Sequence, residues 1–202
     1  DMPALMAQQG VQPRLVVLYV PDYVTTATRL AKTSHMWQVL GRMLPEYEIA
    51  VPLANGPFQD DEGLSAFFDK GKGSMTPARL VLNLKRDYLT SLAMVARAVK
   101  AHKPQLIIAD GQGALIALGL TKPLVLESCL ATRTVGVEEA VVIARAWGAV
   151  RGVIVTQPRI GRSKLDVALL RQAIPELFDH SHPWEGLQCV AVGNRMGPTY
   201  EQ

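Results

Sequence analysis

Aromatic residues are scarce, 6% of the 202-residue chain, and cysteine occurs only twice, at Cys129 and Cys189. Two thiols make no disulfide framework, and neither sits in a CxxC or Cys/His spacing that would hold zinc. Each lies in an apolar run, which reads as a buried free thiol in a reducing, intracellular compartment. No apolar run approaches the ~18 residues that a membrane span requires, so no span is expected. A dense basic patch is missing as well: 21 basic residues stand against 18 acidic ones, net +3, scattered along the chain. Nucleic-acid grooves carry clustered basic residues interleaved with aromatics, so no nucleic-acid partner is expected. Neither a GxGxxG nor a P-loop occurs; Ala31-Lys32-Thr33 echoes the end of a P-loop, but no glycine precedes it. No cofactor and no metal site are therefore expected. The first residue is Asp1 and not Met, so an upstream segment that is cleaved or otherwise missing is an expectation too.

What is present is an ordinary globular balance, 49% apolar and 19% charged, in a length that suits one domain. Residues 1–13 read as a tail or linker, and 14–202 as a single α/β domain with a loop insertion at about 56–75. Six runs are apolar on both faces: Arg14–Val20, Ile49–Leu53, Gln105–Ala109, Leu124–Ser128, Gly152–Thr156 and Leu187–Val192. Such runs suit parallel strands buried under helices.

Helical periods fill the gaps. Ser34–Leu44 places Met36, Val39, Leu40 and Met43 on one face. Thr76-Pro77 is a helix start, a capping hydroxyl followed by proline. The stretch after it runs to about His102 with Leu89, Leu92, Ala93, Ala96 and Val99 at helical offsets. Glu138 and Glu139 open a further helix whose face continues through Val141, Ala144 and Trp147 to Gly148. Ser163 and Asp166 resemble a capping box before a helix through Leu165, Leu169 and Ala173. Alternation of this kind predicts a three-layer, doubly wound, mostly parallel six-stranded sheet in the order 2-1-3-4-5-6.

In such sheets ligands bind beyond the carboxyl ends of the strands. The sharpest strand end is Leu106-Ile-Ile-Ala-Asp110-Gly111-Gln112-Gly113, which runs straight into the apolar Ala114–Ala117. A nucleophile elbow is built this way, with small residues flanking a strained turn. The segment resembles the α/β-hydrolase superfamily, whose members commonly read Gly-His-Ser-Gln-Gly here. Ser34–Pro52 and Asp87–Val99 are similar to the family's elements around the oxyanion loop and before the elbow. The resemblance covers roughly residues 14–120 and implies the fold. For activity it implies a failure: the nucleophile's position is Gly111, and no histidine follows Leu187, since His180 and His182 precede that strand.

The candidate binding residues are accordingly Asp110, Gly111, Gln112 and Gly113, with Glu127 and Ser128 at the end of the fourth strand and Arg159 after the fifth. No residue is assigned a catalytic role. The leading expectation is a non-catalytic hydrolase-like binding or scaffold domain that takes a protein partner or a small-molecule ligand, in the manner of one component of a larger assembly. The alternative is an enzyme using the same carboxyl edge, an atypical hydrolase or esterase or a nucleotide-sugar transferase partner. Simpler readings stand beside each feature: Gly111-Gln112-Gly113 as a tight connection, Glu127–Arg133 as a surface pair, Asp179–His182 as an exposed loop and Cys129 as a core thiol.

Overall fold

Arg14–Val20 (β1) extends because four of its seven residues are β-branched or aromatic, and its pleat sends alternate side chains to opposite faces. A computed structural model of the chain describes residues 13–22, 37–59, 65–68, 76–156, 164–179 and 188–192. Within them, residues 37–43 are helical (α1), followed by the strand Glu48–Ala50 (β2) and a short ribbon, Phe58–Gln59 (β3) with Ser65–Ala66 (β4). Then come Pro77–His102 (α2), Leu106–Asp110 (β5), Gly111–Leu120 (α3), Pro123–Ala131 (α4), Val137–Trp147 (α5), Gly152–Thr156 (β6) and Lys164–Ala173 (α6). A 3-10 turn, Pro175–Phe178, and the strand Gln188–Val192 (β7) complete the order.

Five strands form one parallel sheet in the order β2-β1-β5-β6-β7. This is the expected winding with its fourth member removed. Leu124–Ser128, read as a strand from its apolar run, is helix α4 instead. That run contains a single β-branched residue, Val125, whereas β6 carries Val153, Ile154 and Val155. Pro123 pre-sets the first helical turn at its head. A short apolar run does not distinguish a buried strand from a buried helix.

The pleat sorts the core into two layers. Leu18, Val20, Ile107, Ala109, Val153 and Val155 face α2 to α6, while Val17, Tyr19 and Ile108 face Trp37 and Leu40 of α1. Helix α2 buries Leu89, Leu92, Ala93, Ala96 and Val99, the face its periodicity predicts. Thr76, by contrast, makes no side-chain cap bond. Two other predicted faces are rotated. On α1, Trp37 and Leu40 pack inward while Met43 is 72% exposed. On α5 the buried residues are Ala140, Ile143 and Trp147, and Val137 and Val141 face outward. Where the sequence reads an insertion, the described residues reach the core: Phe67 and Phe68 are buried, the latter stacked on Tyr88 with ring centroids 5.9 Å apart. Ser163, the leading residue of the expected capping box, lies outside the described residues, as do Met36 and the start of the first predicted helix.

Candidate functional site

The central strand β5 ends at Asp110 and turns into α3 at once, with Gly111 in the left-handed region at φ +53°. A residue bearing a Cβ is strained there, so glycine is the residue this turn asks for. The next constraint is proximity. A Cβ on Gly113 would run into the backbone carbonyls of Val20 and Pro21, because α3 begins directly against the end of β1.

Three polar residues then fasten the turn. Asp110 occupies the N-cap position of α3, yet its carboxylate makes no cap bond. It turns toward the α1 side of the sheet, where the Tyr19 hydroxyl donates to Oδ2 at 2.6 Å and the Thr156 hydroxyl donates to Oδ1. Tyr19 packs edge-on against Trp37 with centroids 5.6 Å apart. The cap comes from 90 residues away: the Gln112 N–H donates to Oδ1 of Asp22 at 2.8 Å. Asp22 is only 5% exposed, and its carboxylate fills the space that a Cβ on Gly111 would need. A buried carboxylate at a helix N-terminus is offset by the free N–H groups and the dipole there. Gln112 is buried too, and its side-chain carbonyl accepts from the Phe67 N–H at 3.1 Å, while Ser91 donates to the Phe67 carbonyl at 2.6 Å. The elbow thus ties β1, β5, β6 and the β4 ribbon to one point.

Of the residues expected at the site, the structure brings together Asp110, Gly111, Gln112 and Gly113. Glu127 and Ser128 leave it, because Leu124–Ser128 is not a strand with a carboxyl end. Helix α3 carries the chain about 15 Å from the elbow over ten residues before α4 begins. On α4, Glu127 is exposed, and Ser128 donates to Oε1 of Glu176 at 2.7 Å. Arg159, His180 and His182 lie outside the described residues. Asp22, Tyr19 and Thr156 escape the sequence reading. The one available signal was Pro21-Asp22 ending the first strand, a position that reaches the carboxyl edge in any parallel sheet.

Away from the elbow, a second buried polar group gathers under α4. Tyr88 is fully buried and donates to the Leu115 carbonyl at 3.0 Å. Burial raises its phenol well above the usual value, and the neighbouring Cys129 and Glu176 raise it further. Oε2 of Glu176 is buried and has no hydrogen-bond partner among the described residues. Burial pushes the Cys129 thiol up from 9.0 to about 12, so it stays protonated at neutral pH and is no nucleophile. A thiol whose folded pKa exceeds its unfolded one holds its proton more tightly in the folded state. Its contribution to stability is present below pH 9 and disappears as pH rises from about 9 to 12. Urea midpoints should therefore fall across that window, less steeply in Cys129→Ala than in the unmutated protein. The Cys129 peptide should take up iodoacetamide at pH 8 only after unfolding. A midpoint that is flat from pH 8 to 11, or ready labelling of the folded chain, contradicts this assignment.

A parallel sheet wound in this order, with a glycine strand-to-helix turn at the carboxyl end of its central strand, is a doubly wound α/β fold and is consistent with the α/β-hydrolase fold. At the position where the resemblance expects a nucleophile the chain carries Gly111. Two solved structures similar to the chain are esterases. One, esterase PE8, has 15% identity over 90% of this chain and 83% of its own length, at a TM-score of 0.41. The other, the Bacillus cereus carboxylesterase, has 12% identity over 96% and 91%, at 0.39. No family model and no curated protein matches the chain. The fold class rests on the sheet order and the elbow themselves. Among the described residues, no group of three or more His, Cys, Asp or Glu could hold a metal ion, and no single helix is long and apolar enough to cross a membrane.

Proposed function

We propose that this chain is a non-catalytic α/β-hydrolase-like domain that acts by binding, as a scaffold or one component of an assembly. A single observation carries the reading: the elbow is filled by Asp22. Covalent hydrolysis on such a turn needs a side-chain nucleophile and a backbone N–H left free to receive the developing oxyanion. Position 111 supplies a hydrogen, and the Gln112 N–H already donates to Asp22. Both requirements are absent from one turn.

The test is direct. Hydrolysis of short-chain and medium-chain p-nitrophenyl esters should stay at the buffer rate, and a fluorophosphonate probe should not label the chain. Gly111→Ser should change neither result unless a histidine stands within hydrogen-bond reach of the new hydroxyl, because a serine without a base to take its proton is no nucleophile. Turnover above the buffer rate that survives repurification would sink the proposal.

One observation favours a second reading, an atypical hydrolase: a carboxylate oxygen stands where the missing side chain would be. In that case Asp22 would attack a substrate carbon and expel the leaving group with its bonding electrons. Water would then cleave the resulting ester at its carboxyl carbon. Turnover in H2-18O would leave the heavy isotope in Asp22, detectable by peptide mass. An Asp22 peptide of unchanged mass after incubation with substrate retains the non-catalytic reading.

A further inference from the structure

We propose that the groove over β1 and β2 binds a medium-chain carboxylate, its tail along the strands and its head at Arg14 and His102. A cavity of about 450 Å³ lies there, a volume that suits a small ligand. On β1, Arg14 and Val16 are in phase with Leu18 and Val20, so the cavity opens on the face that α2 covers. Its floor is Val16 with Ala50 and Pro52, and the last turn of α2 adds a wall through Ala101. Strand β2 is the edge of the sheet, and these floor residues are only half-buried although each is apolar.

The groove keeps its polar chemistry at one end. Val16 spends its backbone on Gln105: its N–H donates to the side-chain carbonyl at 2.7 Å, and its carbonyl accepts the Gln105 N–H at 3.0 Å. Pro52 has no N–H, and its carbonyl accepts from Tyr19. The floor therefore offers apolar surface, and recognition of a polar head falls to Arg14 and His102, both exposed. Among the described residues, neither side chain makes an ion pair or a hydrogen bond. A guanidinium receives a carboxylate through two parallel N–H donors, and an imidazole N–H supplies another. Glu48 pairs with Arg14 in register but does not line the cavity. The negative end of α2 amounts to about half a charge, and Lys100 and His102 in its last turn offset it. From Arg14 to the level of Pro52 is roughly 13 Å of strand, a length that a chain of about eight carbons spans.

None of these residues belongs to the elbow, and the test reads binding rather than turnover, so this site and the non-catalytic reading can fail separately. Sodium octanoate titrated into the isotope-labelled full chain should shift the Val16, Ala50 and Ala101 amides saturably, with a Kd on the order of 1 mM. Arg14→Ala should weaken that binding about tenfold. Octanol lacks the charge and acetate lacks the tail, so at equal concentration each should shift these amides far less. Ala50→Phe places a ring in the groove and should abolish octanoate binding. Should that variant fail to fold, Ala101→Phe fills the groove from the exposed end of α2. Octanoate shifts that never saturate overturn the proposal, as does binding that survives a filled groove. Equal shifts with octanol or with acetate overturn it too.

Discussion

Gly113→Ala is expected to cost about 3 kcal/mol, the upper end of the range for overpacking, although it adds one methyl group. The new Cβ would meet the carbonyls of Val20 and Pro21, with the Val20 carbonyl carbon only 2.9 Å away. These are main-chain atoms, so no rotamer change relieves the contact. The strand that carries them is paired on both sides, to β2 and to β5, and Val20 itself is fully buried. Helix α3 must therefore move off β1. That movement also stretches the bond from the Gln112 N–H to Asp22 and the one from the Phe67 N–H to the Gln112 side chain. Urea unfolding gives the measurement: a lower midpoint at an unchanged slope reports lost stability without a change of cooperative unit. A cost under about 1 kcal/mol would mean that α3 does not approach β1 as closely as the geometry requires.

The second large effect is one that a compensating substitution should reduce. Gly119 lies against Tyr88: a Cβ there would collide with the phenol oxygen and come within 3.0 Å of Cζ and 3.2 Å of a Leu92 methyl. Tyr88 cannot swing aside, because it is fully buried, stacked on Phe68 and bonded to the Leu115 carbonyl. Gly119→Ala alone should therefore cost roughly 2–3 kcal/mol. Tyr88→Phe alone removes one hydrogen bond and should cost about 1 kcal/mol. Combined, they should not add. Removing the oxygen makes room for the methyl, so the double variant is expected to be more stable than Gly119→Ala by itself. Relief is partial, since Cζ stays close. A double-mutant cycle measures the coupling, and additivity within about 0.5 kcal/mol would refute the contact.

The elbow was the most legible part of the site because it is local. Strand, glycines and helix are consecutive from Leu106 to Ala117, and each is imposed by its neighbours within a few residues. Helix α2 was legible for a related reason: 26 residues repeat one period many times, and Pro77 marks the start. Leu124–Ser128 misled because three consecutive apolar residues carry no period, and tertiary packing decides whether such a run extends or coils. The rotated faces of α1 and α5 have the same origin. An isolated helix of about ten residues offers two nearly equivalent apolar stripes, and the sheet selects one. Glu127 and Ser128 were lost to the site through the first of these errors, since their place there depended on a strand ending beneath them.

Period and composition by themselves determined a parallel α/β sheet, its winding around β1 and β5, and a tight strand-to-helix turn at residues 111–113. All of these follow from preferences acting along short stretches of backbone. Tertiary structure alone decided what stands at that turn. Asp22 meets Gln112 across 90 residues, and Tyr19 and Thr156 reach Asp110 across 91 and 46. Contacts at such separations exist only once neighbouring strands have paired in register, and no local pattern in the chain encodes them.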